Sequence, residues 1–341
     1  MQMDDRKMRV LTAVIEVYTH TGEPVGSKLV SEQMDVSSAT VRNEMAALFN
    51  MGLLEQPHTS AGRLPSYTGY RLYLDQLMQT LPLTPKERGG VDALFNVRDP
   101  DPDKLLEDAA QALAQFTGCA AFTATMPPEA VTVKQVGILP SRSKAVVILI
   151  IASNGVVKSR VCRLDFALTP ELLEIYNRFA TATLVDKSLR EISKIYLNSV
   201  AVSSGGYARV LTPILSGVYD LCQEISQGQF ALSGEANLLS YKEFQPIAYE
   251  VLEFLGDRKN VLSLVQKAQG RTTVTIGREN SHPVLYDSAV VVTRYRIAGG
   301  ATGAVGLIGP VRQNYAKMIP YLEYFSDTLG SLLAETYDEQ Q

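Results

Sequence analysis

The sequence predicts an α+β chain of more than one domain, and three observations carry that reading. At 341 residues it exceeds the usual length of a single domain. Apolar positions repeat at helical spacing through the first 50 residues and again between 170 and 227. Short apolar runs bounded by turn residues, at 131–139, 145–151 and 156–164, instead read as strands. With 46% hydrophobic and 20% charged residues, the chain supports packed cores and argues against extended disorder.

Several function classes fall away on composition. The longest purely aliphatic stretch, Ala145–Ala152, is too short to cross a bilayer and reads as a buried strand, so no membrane role is expected. Asp4, Asp5, Arg6 and Lys7 stand where a leader would need an apolar run, so no signal peptide is expected and a cytoplasmic location is. Cys119, Cys162 and Cys222 are widely spaced without a CxxC pair, as suits reduced thiols. His20, His58 and His282 are scattered too, so neither a metal site nor a cofactor is expected. The net charge of −4 speaks against nucleic acid only globally. A DNA reader needs a local basic face, and between Glu55 and Asp75 acids are missing while His58, Arg63 and Arg71 are present.

The N-terminal elements follow in order. Leu11, Val14, Ile15 and Tyr18 lie at i, i+3, i+4 and i+7, one face of a first helix. Thr21-Gly22-Glu23-Pro24 breaks it, because proline cannot continue a helix. A short second helix from about Ser27 should carry Leu29, Val30 and Met34 inward. After the turn at Asp35-Val36, Ser37 can cap a third helix by accepting from an unpaired backbone N–H, and Val36 and Val41 occupy hydrophobic-staple positions.

That third helix is the informative one. Val41, Met45 and Leu48 form its buried stripe, which puts Ala39, Arg42, Asn43 and Ala46 on the opposite side. Such a face suits a major groove: two alanines allow close approach, Arg42 supplies a guanine- or phosphate-seeking fork, and Asn43 an adenine-seeking amide. Ser37, Ser38 and Thr40 near the helix N-terminus can donate to phosphates. An ordinary solvated polar face has the same spacing, so the helix alone does not decide the matter.

The next segment does more. Gly52 ends the helix, Leu53–Pro57 reads as a short strand, Thr59–Gly62 as a turn, and Arg63-Leu64-Pro65 as the return. Helix-turn-helix followed at once by a small hairpin is the winged helix-turn-helix arrangement. His58, Thr59, Ser60 and Arg63 at the hairpin suit contact with DNA backbone or minor groove. Ser66 can cap a fourth helix with an apolar stripe of Tyr70, Leu74, Leu77, Met78 and Leu81, and Arg71 at its start can reach a phosphate.

Here the sequence stops being generic. Residues 38–45, SATVRNEM, and 52–63, GLLEQPHTSAGR, resemble the bacterial heat-inducible transcription repressor family HrcA. Residues 69–73, GYRLY, and 23–28, EPVGSK, continue the match, as do IGREN at 276–280 and GAVGLIGP at 303–310 with Tyr315. Residues from about 130 to 235 match only loosely, and Tyr67-Thr68 stands where the family pattern is more polar. The resemblance implies a homodimeric repressor of chaperone operons that binds an inverted-repeat, CIRCE-type operator in double-stranded DNA. It also implies that the chaperonin GroEL modulates its activity.

Behind the DNA-binding domain (1–80), residues 81–102 carry Pro85, Gly89-Gly90, Pro100 and Pro102, and read as a linker with a short helix inside it. A helix at 105–116 and a strand at 119–125 follow, then a three-strand meander with a turn at Ser153-Asn154-Gly155. Helices are expected to about 227, with stripes Leu172, Leu173 and Tyr176; Leu189, Ile192, Ile195 and Tyr196; and Val210, Ile214, Val218 and Leu221. A helical stretch near 249–266, strands at 272–276, 289–295 and 302–308, and a helix at 315–333 close the chain. The resemblance implies a GAF-like α/β domain in two segments (103–130 and 235–341), interrupted by an inserted α+β dimerisation module (131–234). Periodicity by itself gives only the order of elements, and the helices of 170–227 suit an internal core equally well.

The competing classes find less support. The glycine run at 299–306 lacks the Lys-Ser/Thr of a P-loop and reads as a turn opening a strand. His282 precedes Pro283 and has no nucleophile partner in view, so no catalytic residue is expected and the chain is not read as an enzyme. A metabolite sensor remains the second reading, and a closed polar pocket would favour it.

Overall fold

The computed structural model describes residues 4–59, 61–95, 101–126, 131–297 and 301–338. Helix α1 (Asp5–Thr21) starts where the Asp4 side chain accepts from the Lys7 N–H, and stops at Gly22 in the left-handed region. Its Leu11, Val14 and Ile15 are fully buried. Helix α2 (Ser27–Ser31) is only five residues long, so it offers the core a single turn. Val30 fills that turn, Met34 is half-buried, and Leu29, expected inside, lies on the surface.

Helix α3 (Ser38–Asn50) and strands β1 (Leu54–Glu55) and β2 (Leu64–Pro65) complete the winged helix. Arg63 exchanges both backbone hydrogen bonds with Val25, so the hairpin is anchored to the segment between α1 and α2 as well. Helix α4 (Tyr67–Leu72) passes into one widened π-turn (Tyr73–Leu77), after which Met78 is extended. The wider turn rotates the expected stripe: Tyr70 and Tyr73 are buried, Leu74, Leu77 and Met78 are partly covered, and Leu81 is exposed.

In the expected linker, α5 (Pro85–Leu94) runs straight through Gly89-Gly90, held by a capping box between Thr84 and Glu87. It docks on the body through Phe95 against Phe325 and a hydrogen bond from the Tyr324 hydroxyl to Asp92.

The body is built on a five-stranded antiparallel sheet in the order β7-β3-β10-β9-β8. These strands are β3 (Ala120–Met126), β7 (Phe230–Ser233), β8 (Thr272–Ile276), β9 (Ser288–Arg296) and β10 (Thr302–Pro310). Side chains alternate between its two faces. Val291, Val305 and Leu307 pack under α6 (Pro102–Thr117) and α12 (Tyr315–Asp338) with Leu106, Leu113, Phe325 and Leu329. Phe122, Val290, Val292, Ala304 and Ile308 pack under α10 (Ala248–Gly256) and α11 (Arg258–Lys267) with Phe254 and Val261. Both faces are filled by apolar side chains. Gly306 of the glycine run is part of this packing, since a Cβ on it would run into the Phe122 ring, while Gly299 and Gly300 lie outside the described residues.

Residues 133–226 form a separate unit. Strands β4 (Val133–Arg142), β5 (Ala145–Ala152) and β6 (Val157–Arg163) are the expected meander, paired in that order. One face is covered by α7 (Pro170–Leu184) and α9 (Ala208–Ser226), with α8 (Lys194–Ser203) alongside. Two details differ from expectation. Helix α8 begins only at Lys194, so Leu189 and Ile192 are buried ahead of it while Ile195 is 82% exposed. And residues 230–233, expected inside the inserted module that ended at 234, form β7, which pairs with β3 in the larger sheet.

Candidate nucleic-acid interface

The third helix is fixed at its start by hydroxyls. Ser37 Oγ accepts from the Thr40 N–H at 3.1 Å and is 2.9 Å from Thr40 Oγ1. Ser38 Oγ lies 3.0 Å from Ser27 Oγ, which ties the start of α3 to the start of α2. Further along, Lys7 of α1 reaches Glu44 at 3.2 Å and Asp4 at 2.6 Å. The hydrogen bond to Asp4 holds the Lys7 ammonium above the ordinary lysine range, and Glu44 adds to it. Val41, Met45 and Leu48 are buried, and Ala39, Arg42, Asn43 and Ala46 are exposed. Arg42 and Asn43 carry no side-chain hydrogen bond or ion pair among the described residues, so their polar groups are available to a ligand.

The wing is built by its own backbone and by Gln56. That side chain donates to the Thr59 carbonyl at 2.9 Å and the Ala61 carbonyl at 3.1 Å, closing the tip of the hairpin. A Cβ on Gly62 would stand 2.5 Å from the Val25 carbonyl oxygen, so only glycine permits the hairpin to lie so close to that segment. Arg63 lies with its guanidinium 5.0 Å from the centre of the Phe49 ring, a cation–π stack that aligns the arginine beside the end of α3. His58 and Thr59 are exposed at the tip; Ser60 lies outside the described residues.

The structure brings Ser37, Ala39, Arg42 and Asn43 to one exposed helix end and face, with Ser38 and Thr40 half-buried beside them. His58, Thr59 and Arg63 lie on the adjoining wing. Arg71 is placed elsewhere: its Nε donates to Glu279 Oε1 at 2.8 Å, Nη1 to Asp75 at 3.1 Å and Nη2 to the Val274 carbonyl at 2.9 Å. It faces the body, and its charge is already matched. Gly69 belongs to the architecture too, because a Cβ there would collide with the Leu53 carbonyl oxygen. Sequence reasoning missed Phe49 and Gln56. An aromatic seven residues after Arg42 and an amide at the foot of the hairpin were the available signals.

Among the described residues no three His, Cys, Asp or Glu side chains are grouped to hold a metal ion, and no helix is long and apolar enough to cross a membrane.

The three-helix core, the paired wing and the unmatched polar face of α3 define a winged-helix DNA-binding protein with an α+β body attached. The comparisons carry this to a family. A family model described as the winged helix-turn-helix transcription repressor, HrcA DNA-binding, matches residues 2–77, and the HrcA protein C terminal domain matches residues 103–319. The chain is 32% identical over 339 residues to the heat-inducible transcription repressor HrcA of Clostridium botulinum (strain Alaska E43 / Type E3), covering 98% of both. It is 33% identical over 344 residues to that of Moorella thermoacetica, covering 99% of this chain and all of the relative, 100%. A crystal structure described as a hypothetical protein at 2.2 Å resolution shares the fold, with a TM-score of 0.67 at 23% identity over 98% of this chain and 100% of that one. The chain belongs to the HrcA family of heat-inducible transcription repressors.

Proposed function

We propose that this chain represses chaperone operons by binding, as a homodimer, an inverted-repeat operator of the CIRCE type in double-stranded DNA. The observation that carries the reading is the exposed Ala39, Arg42, Asn43 and Ala46 face of a firmly capped helix, set beside a wing with a stacked arginine. In this reading Asn43 and Arg42 read base edges, Ala39 permits close approach, and Ser37, Ser38 and Thr40 contact phosphates at the helix start. His58, Thr59, Ser60 and Arg63 hold the backbone or minor groove.

Residues 1–80 form the DNA-binding domain and 81–102 the linker. A GAF-like body takes 103–126 with 230–338, and the insert takes 131–228. The insert mediates dimerisation, and its open sheet face supports this. Leu139, Val157 and Val161 are 52%, 52% and 62% exposed, flanking the half-buried Val147, Leu149 and Ile151 of β5. A two-fold dimer matches an inverted repeat, one recognition helix per half-site. GroEL acts as the modulator, restoring the active repressor in the compartment where DNA and chaperonin meet, the cytoplasm. The filled faces of the body sheet favour a protein partner over a metabolite as the regulator.

The test is a gel shift on an inverted repeat and on a scrambled duplex, over a range of salt and with or without chaperonin. Binding to the repeat should be tighter and should weaken steeply with salt as counterions are released. Equal affinity for both duplexes would overturn the reading.

A further inference from the structure

The winged helix does not hang on a free tether; besides the apolar core that it shares with the body, polar contacts hold it there at two places. On α4, Tyr67 and Arg71 lie one turn apart and reach the same segment of the body. The Tyr67 hydroxyl donates to the Tyr286 carbonyl at 2.8 Å and to Asp287 Oδ1 at 3.0 Å. Its ring lies against Gly277, where a Cβ would come within 2.5 Å, so the glycine is what lets the tyrosine seat. Arg71 forms the fork already described on Glu279, and Glu279 is itself held by the Ile276 N–H at 2.9 Å. The second place is at the end of α1. Lys242 pairs with Glu23 at 3.3 Å, and Arg312, held by Glu243 at 2.8 Å, lies beside Gly22. Two separated attachments resist rotation in a way that one cannot.

We infer that Glu279 and Asp287 are positioning residues that set the angle of the winged helix on the body, and thereby the operator half-site spacing that the dimer accepts. The inference rests on the operator reading above. Neither residue is on the winged helix, so neither touches DNA in that reading. They act through Arg71 and Tyr67 on where the recognition helix points. The lever is sensitive: a swing of about 10° over ~20 Å, the length of a helix such as α3, moves its far end by about 3.5 Å. That is roughly one base-pair step.

The experiment uses the full-length chain and its Glu279→Gln, Asp287→Asn double variant, with folding checked by circular dichroism. Duplexes carry one half-site, a scrambled site, or two inverted half-sites whose spacer is lengthened or shortened one base pair at a time. The wild type should prefer one spacer by about tenfold over its neighbours, comparable with a single misfit base pair. In the double variant that preference should fall to about threefold or less, with half-site affinity within about twofold of wild type. A merely structural role would lower all affinities together and leave the spacing profile sharp. A double variant that keeps the wild-type profile would overturn the inference while the operator reading stands. Wild type that binds repeat and scrambled duplex alike would overturn the operator reading, and the inference with it. A second measurement addresses the attachment directly. Spin labels at Asn50 and Tyr249, diluted into unlabelled chains, should give a narrow distance distribution in wild type and a broad one in the double variant. Equal widths would overturn the inference whatever the DNA does.

Discussion

In the proposed reading, Asn43 and Arg63 face the same ligand with different chemistry. An amide that pairs two atoms of one base discriminates, whereas a guanidinium on a phosphate does not. Asn43→Ala should therefore cost about 1–3 kcal/mol of preference for the operator over a base-substituted site, as measured by competition gel shift. Arg63→Ala should weaken binding to all duplexes about evenly and lower the salt slope by about one. The outward position of Asn43 was legible in the sequence because a helix with known caps fixes which side chains point outward. What it hid was the company they keep. Phe49 under Arg63 and Ser27 against Ser38 are contacts between elements, and no local spacing encodes them. Arg71 shows the same limit from the other side. Its basic charge suggested a phosphate, but its partner lies 208 positions away in sequence, in a loop whose place the local pattern could not give.

The elements were legible where periodicity was long. α1, α3, α6 and α9 are full amphipathic helices, and the meander announces itself by its turns. Short or composite elements were not: five-residue α2 has room for one inward side chain, and the π-turn after α4 shifts a stripe by an amount that a fixed 3.6-residue period does not contain. β7 is only four residues long and joins its sheet through a partner more than 100 positions earlier. The capping of α3 gives a prediction at this scale. Ser37→Ala should cost about 1 kcal/mol in denaturant unfolding, and should weaken DNA binding by loosening the end of the helix that meets phosphates. The start of α1 gives another. The Lys7 side chain, followed by its backbone N–H, holds the Asp4 carboxyl below the ordinary carboxylate range. A lowered carboxyl pKa stabilises the fold at neutral pH and loses that effect as pH falls through the folded value. The stability gap between wild type and Asp4→Asn should thus be full at pH 7 and close in acid, which a series of thermal melts would read. A gap that widened in acid would contradict the assignment.

For the whole molecule, the proposed function turns on how two recognition helices would come to face one operator. The body sheet is covered on both faces, whereas the sheet of the insert is covered on one. The uncovered face is thus the natural place for a second copy. Val161→Lys, on an exposed position opposite Val147, should shift the chain toward monomer in sedimentation and reduce operator affinity far more than half-site affinity. Sedimentation unchanged by that charge would place the dimer contact elsewhere. Neither the association of copies nor the angle of the winged helix can be read from one chain's periodicity. Both arise from surfaces, and polarity along a strand says only which face is apolar.

The strands on either side of the insert, β3 and β7, are hydrogen-bonded neighbours, and Thr125 and Gln229 at their ends are joined backbone to backbone at 2.9 Å. The insert is therefore a detour that leaves and rejoins the body at one point, and its apparent size costs the body nothing in connectivity. Replacing residues 126–228 with a two-residue Asn-Gly turn, which keeps Thr125 opposite Gln229, would convert the detour into an ordinary hairpin. The shortened chain should keep the five-stranded sheet and half-site binding while losing cooperative occupation of two half-sites. By the same logic, the detour is portable: another antiparallel pair with the same gap could host it, and on the proposed reading would acquire self-association with it.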